Sequence, residues 1–247
     1  MGLGLAGVIV HPLVRSVPSD RLDVRPISAT VAAGSGNAFV VLGGLRTVVA
    51  DLVWLRAYMA WEKRDAPATE ALLELTTTLD PRPLYFWING ARIMAYDMPV
   101  WMTVGVTSES VQTRVDTLQA KRALAYLDGA LLHHPARASL WIERANIELH
   151  RLHDIAAAAE SYRQASQQPD APYYAARIQA ELLRRIGRKA EALACLTELY
   201  PRLPLSDETA GAALVLSRIR SLEAELGKSP SEFLNTESSP LDARMHL

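Results

Sequence analysis

Proline recurring behind short alanine-rich apolar stretches constrains this chain more than any single residue does. Four such stretches end in proline: Ala68–Pro81, Ala123–Pro135, Ala158–Pro169 and Ala192–Pro204. Pro135 and Pro169 lie 34 residues apart, and so do Ala158 and Ala192. Proline lacks an amide hydrogen, and its ring clashes with the carbonyl four residues back, so it stops a helix. A period near 34 with such a stop predicts stacked helix–turn–helix units. Units of that kind bury apolar faces against their neighbours and present extended surfaces.

The register inside the units supports this. Trp87 follows Pro81 by six residues, and Trp141 follows Pro135 by six. Ala91 and Ala145 come four residues later, one turn on along the same face. Small residues there let the paired helix approach closely. Ala123, Ala130, Ala158, Ala165 and Ala192 supply the matching small surface of the second helices, with Leu127 and Tyr162 filling the space between units. Gly187 falls at a predicted turn. Pro81 and Pro135 are 54 residues apart, twenty more than the period, which places an insertion at 97–114. Pro99 is expected to end the first helix near Tyr96. The inserted segment carries Met98, Trp101, Met102 and several valines, so it either packs over the edge of the stack or forms an apolar patch for a partner.

These positions resemble the tetratricopeptide repeat family. The bulky residue of its first helix matches Trp87 and Trp141, and its small residue one turn later matches Ala91 and Ala145. Its terminal proline matches Pro81, Pro135, Pro169 and Pro204. The resemblance covers residues 48–226, although alanine stands where the family has glycine and the unit at 171–204 has no tryptophan. It implies an all-α, right-handed α-solenoid of antiparallel helix pairs that binds a protein or peptide in its concave groove. Residues 42–61, followed by LDPRPLYFW, are also similar to a group of uncharacterised bacterial envelope-associated proteins. That likeness implies an envelope-associated, membrane-anchored or periplasmic location.

Three regions follow: an N-terminal apolar segment and linker (1–37), a repeat domain (38–227) and a Ser/Pro-rich tail (228–247). Residues 1–14 are apolar, but they have no basic residue before Arg15 and are shorter than the roughly 20 residues a spanning helix needs. They read as an incomplete anchor, a membrane-touching segment or a packed element. The helix expected at 39–65 is apolar but carries Arg46, Asp51 and Arg56. Charges at membrane depth are costly, so it is expected to be soluble or membrane-adjacent and buried on most sides, with the three charges paired. A final helix is expected over 207–226, capped by Ser206 or Asp207 and stopped at Gly227.

The formal net charge of -1 argues against nucleic acid, which needs a basic stripe. Cys195 is the single cysteine, which excludes an intrachain disulfide and a cysteine metal cluster. His150 and His153, near Glu148 and Asp154, come closest to a metal spacing, but no third ligand is fixed and His153 falls in a turn. No nucleotide-loop, nucleophile-elbow or HExxH pattern occurs. No catalytic, cofactor or metal residues are therefore assigned. The expected function is a non-catalytic protein–protein interaction scaffold, a subunit or assembly factor of a bacterial envelope-associated complex. The alternatives are a solenoid enzyme with an acidic pocket and a purely structural membrane-complex subunit. The partner-contact candidates are Asn89, Arg92, Tyr96, Asp97 and Trp101, on and just after the first helix that precedes the insertion.

Overall fold

A computed structural model describes residues 36–204 and 210–229, with side chains from residue 45 onward. The chain divides into two compact units, Met1–Val41 and Leu42–Leu247, and the helix packing described here belongs to the second. The helices in chain order are α1 (Gly36–Glu62), α2 (Ala66–Leu79), α3 (Leu84–Arg92), α4 (Met98–Met102), α5 (Glu109–His133), α6 (Ala138–His150), α7 (Ile155–Ser166), α8 (Tyr173–Arg185), α9 (Lys189–Leu199) and α10 (Ala212–Glu225). A π-helical turn, Ile93–Asp97, joins α3 to α4, and a 3-10 turn, Tyr200–Arg202, follows α9.

Local chemistry sets the boundaries. The Asp65 carboxylate accepts the Ala68 amide at 3.1 Å and caps α2, and Asp154 accepts the Ala157 amide at 2.9 Å and caps α7. Pro81 and Pro135 stand just beyond helix ends, as the repeat requires. Gly187, at φ 80, makes the turn between α8 and α9, where a Cβ would be strained.

The result is an all-helical domain of stacked helix pairs. From α6 to α10 each helix packs mainly on its sequence neighbours, and α3 packs on α5. Every alanine assigned to close helix approach is buried: Ala91, Ala123, Ala130, Ala145, Ala158, Ala165 and Ala192. Leu127 and Tyr162 are buried too. Two core clusters result. One, around α6–α10, is made largely of alanine and leucine. The other centres on Trp87, Met94, Met98, Tyr126 and Leu127 and takes in Trp54 and Trp101 at its edge.

Four expectations need correction. First, Pro99 does not end a helix, and the insertion is mostly helical. The Met98 amide reaches the carbonyl of Ile93, five residues back. This wider π turn re-phases the helix ahead of Pro99, which sits in the first turn of α4, where its missing amide costs nothing. Second, α1 is buried along one face only, through Ala50, Ala57 and Ala60, and Arg46, Asp51 and Arg56 are exposed with no ion pair among the described residues. Third, Trp141 does not share the burial of its register partner Trp87: it is only half-buried, and its buried indole Nε1 has no hydrogen-bond partner among the described residues. Fourth, α10 begins at Ala212 behind Gly211 at φ 69. Ser206 and Asp207 lie outside the described residues, as do residues 1–35 and 230–247. Among the described residues, no helix is long and apolar enough to cross a membrane.

Candidate partner-binding surface

The first helix of each unit supplies this surface. Arg92, on the last turn of α3, reaches across to α6. Its Nε and Nη2 donate to Oε2 of Glu143 at 2.9 and 2.6 Å. The Glu143 side chain is 4% exposed and that of Arg92 is 55% exposed, so the guanidinium covers a buried carboxylate and keeps one face in solvent. Removing Arg92 would strand the buried Glu143 carboxylate, which favours keeping the pair closed. Tyr96, on the π turn, lies beside it. Arg151 packs over the Tyr96 ring at 5.6 Å and pairs with Asp116. Burial pushes the Tyr96 hydroxyl pKa up, so it remains a neutral donor. On α6, the Asn146 Oδ1 accepts the Tyr162 hydroxyl at 2.8 Å.

Arg92, Tyr96, Asp97, Glu143, Asn146 and His150 line an open hollow of about 520 Å³. A second hollow, of about 540 Å³, adjoins it through His150. Its walls are mainly apolar, with Tyr174 and Ile178 from α8 and Leu214 and Leu222 from α10. Arg177 and Arg218 stand on its lining. Among the described residues neither carries an ion pair.

The structure thus brings three of the five sequence-assigned residues, Arg92, Tyr96 and Asp97, to one hollow. The other two lie apart from it. The Asn89 side chain donates to the Tyr85 carbonyl of its own helix at 2.9 Å. Trp101 is half-buried, edge-on to Trp61 with ring centroids 6.3 Å apart. Asp97 also ties the π turn to α1, because its Oδ2 accepts the Trp61 indole N–H at 2.7 Å.

Glu143, Asn146, Arg177 and Tyr174 join the surface without having been singled out by residue type, and His150, singled out only for its metal-like spacing, joins it too; the repeat register points to most of them. Residues 54 apart are equivalent across the insertion, so Asn89, Arg92 and Tyr96 correspond to Glu143, Asn146 and His150. One further period of 34 carries Glu143 to Arg177 and His150 to Arg184, both on the second hollow.

Among the described residues no group of three or more His, Cys, Asp or Glu converges. His153 stands exposed in the turn after α6, at φ 54. Cys195 is half-buried, and burial pushes its thiol to about 11, so it stays protonated. Glu148 is buried on α6, where it accepts from Ser161 at 2.6 Å and from Arg144 at 3.0 Å. The chain matches no protein-family model and no curated protein.

Proposed function

We propose that this chain is a non-catalytic scaffold for protein–protein interaction, built as a right-handed α-solenoid of tetratricopeptide-like pairs. Its first helices hold a peptide segment of a partner, and the assembly is part of a bacterial envelope-associated complex. One observation carries the reading. Repeat-equivalent residues on α3, α6 and α8 open onto two adjoining hollows that share His150. A surface built from equivalent positions of successive units suits an extended ligand better than a small molecule. The second hollow offers Tyr174, Ile178 and Leu214 to an apolar side chain and Arg177 and Arg218 to a carboxylate. The partner segment is therefore apolar and acidic. The envelope location rests on the likeness of residues 42–61.

The test is site-specific photo-crosslinking in the native host. A crosslinker at Tyr174 should capture a discrete partner, and the Arg177→Glu/Arg218→Glu variant should lose it. Purified partner should then bind that variant more than roughly tenfold more weakly, with folding unchanged. Leu132, 84% exposed and away from both hollows, is the control position. Equal capture from Leu132 and Tyr174 would refute the groove.

A further inference from the structure

We propose that α1 pairs with α1 of a second copy of this chain, as a parallel two-helix coiled coil along its outer face. Apolar residues occupy both sides of this helix. Ala50, Ala57 and Ala60, with Trp54 and Trp61, face the chain's own body. On the opposite side Leu45, Val48, Leu52, Leu55 and Met59 are each 54–58% exposed. Their spacing alternates three and four residues, the a and d positions of a heptad. A singly exposed apolar residue is ordinary, but a continuous stripe of five marks an interaction site. In this register Ala50 and Ala57 are f positions, farthest from the seam. Two bodies carried on their f faces point away from each other, so the two copies close around one twofold axis without collision.

Charge selects the occupant and its direction. Asp51 falls at g and Arg56 at e of the next heptad, and both are exposed without an ion pair in their own chain among the described residues. In a parallel pair, g of one helix meets e of the other five residues on, so Asp51 faces Arg56 of the partner copy twice by symmetry. In an antiparallel pair, Asp51 would face Asp51 and Arg56 would face Arg56. The five-residue spacing of these charges beside the apolar stripe, where they find no ion pair among the described residues of their own chain, is thereby accounted for. Neither residue lines the hollows that hold the proposed peptide, so this pairing stands or falls independently of that reading.

Sedimentation equilibrium of the full chain, without detergent and up to about 100 μM, tests the pairing; a seam of two heptads is short and its dimer weak. The wild-type chain should show a monomer–dimer equilibrium. Leu52→Glu should abolish it with an unchanged circular-dichroism spectrum, since Leu52 is exposed. Asp51→Arg and Arg56→Asp should each weaken self-association roughly tenfold, and the double swap should restore it, because only in parallel register do residues 51 and 56 face each other. A monomer at every concentration overturns the proposal. So does a dimer indifferent to Leu52→Glu, a double swap that fails to restore association, or a stripe that instead drives binding to anionic vesicles as a monomer.

Discussion

The α6–α10 region and the α1–α5 region solve one packing problem with different materials. In the first, alanines at 145, 158, 165, 175, 180 and 192 let helices approach closely, and leucines fill what remains. In the second, an insertion breaks the period, and aromatic rings close the gaps. Trp54 packs on Tyr85 and Phe86, Trp87 on Tyr126, and Trp61 on Trp101. Polar contacts then fix what rings alone leave loose. Asp80, at the end of α2, accepts from Arg82 Nε at 2.8 Å, from Arg82 Nη2 at 2.9 Å and from Thr47 of α1 at 2.8 Å. Next to it, the Pro81 carbonyl accepts the Trp87 indole at 2.8 Å and lies 2.9 Å from His134 Nε2. Regular repetition makes small residues sufficient; irregularity demands large rings and a polar hub to hold them.

Emptying the ring cluster should therefore have the largest effect. Trp87 is 6% exposed, and Trp87→Ala should cost ~3–5 kcal/mol, read from urea unfolding. A loss under about 1 kcal/mol would mean that the α1–α5 region does not depend on its rings. Gly90→Ala comes next. A Cβ there would sit 2.8 Å from the buried Tyr126 ring, so either the ring or α3 must move, at ~1–3 kcal/mol. Gly129→Ala, whose Cβ would meet Trp87 at 3.3 Å, should cost clearly less and serves as the paired control.

Acid separates the two regions by sign. The Arg82 guanidinium, with Thr47, lowers the Asp80 pKa from its ordinary 3.8 to about 2. A lowered folded-state value gives stability that is present above about 4 and lost as pH falls toward 2. In α6, burial raises the Glu148 pKa despite Ser161 and Arg144. A raised value works oppositely: its contribution is present below the ordinary carboxylate range and fades as pH rises through the raised value. Asp80→Asn should cost ~1.5–3 kcal/mol at neutral pH and flatten the loss between about pH 4 and 2. Glu148→Gln should remove only the gain in mild acid. Parallel stability–pH profiles for wild type and Asp80→Asn would break the contrast.

The two regions also differ in how much of them the sequence reveals. Where the period holds, alanine positions, helix ends and the turn at Gly187 follow from spacing, because each residue answers one local requirement. In the α1–α5 region the same logic overreaches at Pro99. The π turn ahead of it depends on a single amide choosing the carbonyl five residues back, and no residue type announces that choice. Charge on an apolar helix likewise points to burial and pairing, yet Asp51 and Arg56 are solvated on an outer face of α1. On the surface, Arg92, Tyr96 and Asp97 are legible from their helix position. Glu143 and Arg177 emerge only when the repeat equivalence is carried through the insertion. Trp101 has the residue type of an interface anchor, and its half-buried ring packs on Trp61, a contact across the sequence that residue type alone does not announce.

The smallest effect is expected at Trp141, the register partner of Trp87, and it is the sharpest test of the contrast. The two tryptophans hold equivalent places in sequence but unequal ones in space. Trp87 donates to Pro81 and is walled in by Tyr126. Trp141 is half-buried among alanines and leucines, and its buried Nε1 finds no hydrogen-bond partner among the described residues. An unpaired buried donor costs ~1–3 kcal/mol, about what a ring loses in contact area when indole becomes phenyl at a half-exposed site. Trp141→Phe should thus leave stability within ~1 kcal/mol of wild type, whereas Trp87→Phe, which frees the Pro81 carbonyl from the indole and opens space under Tyr126, should cost at least ~1.5 kcal/mol. Equal losses at both sites would show that repeat position governs these rings and that the division between an alanine-built and a ring-built region is superficial.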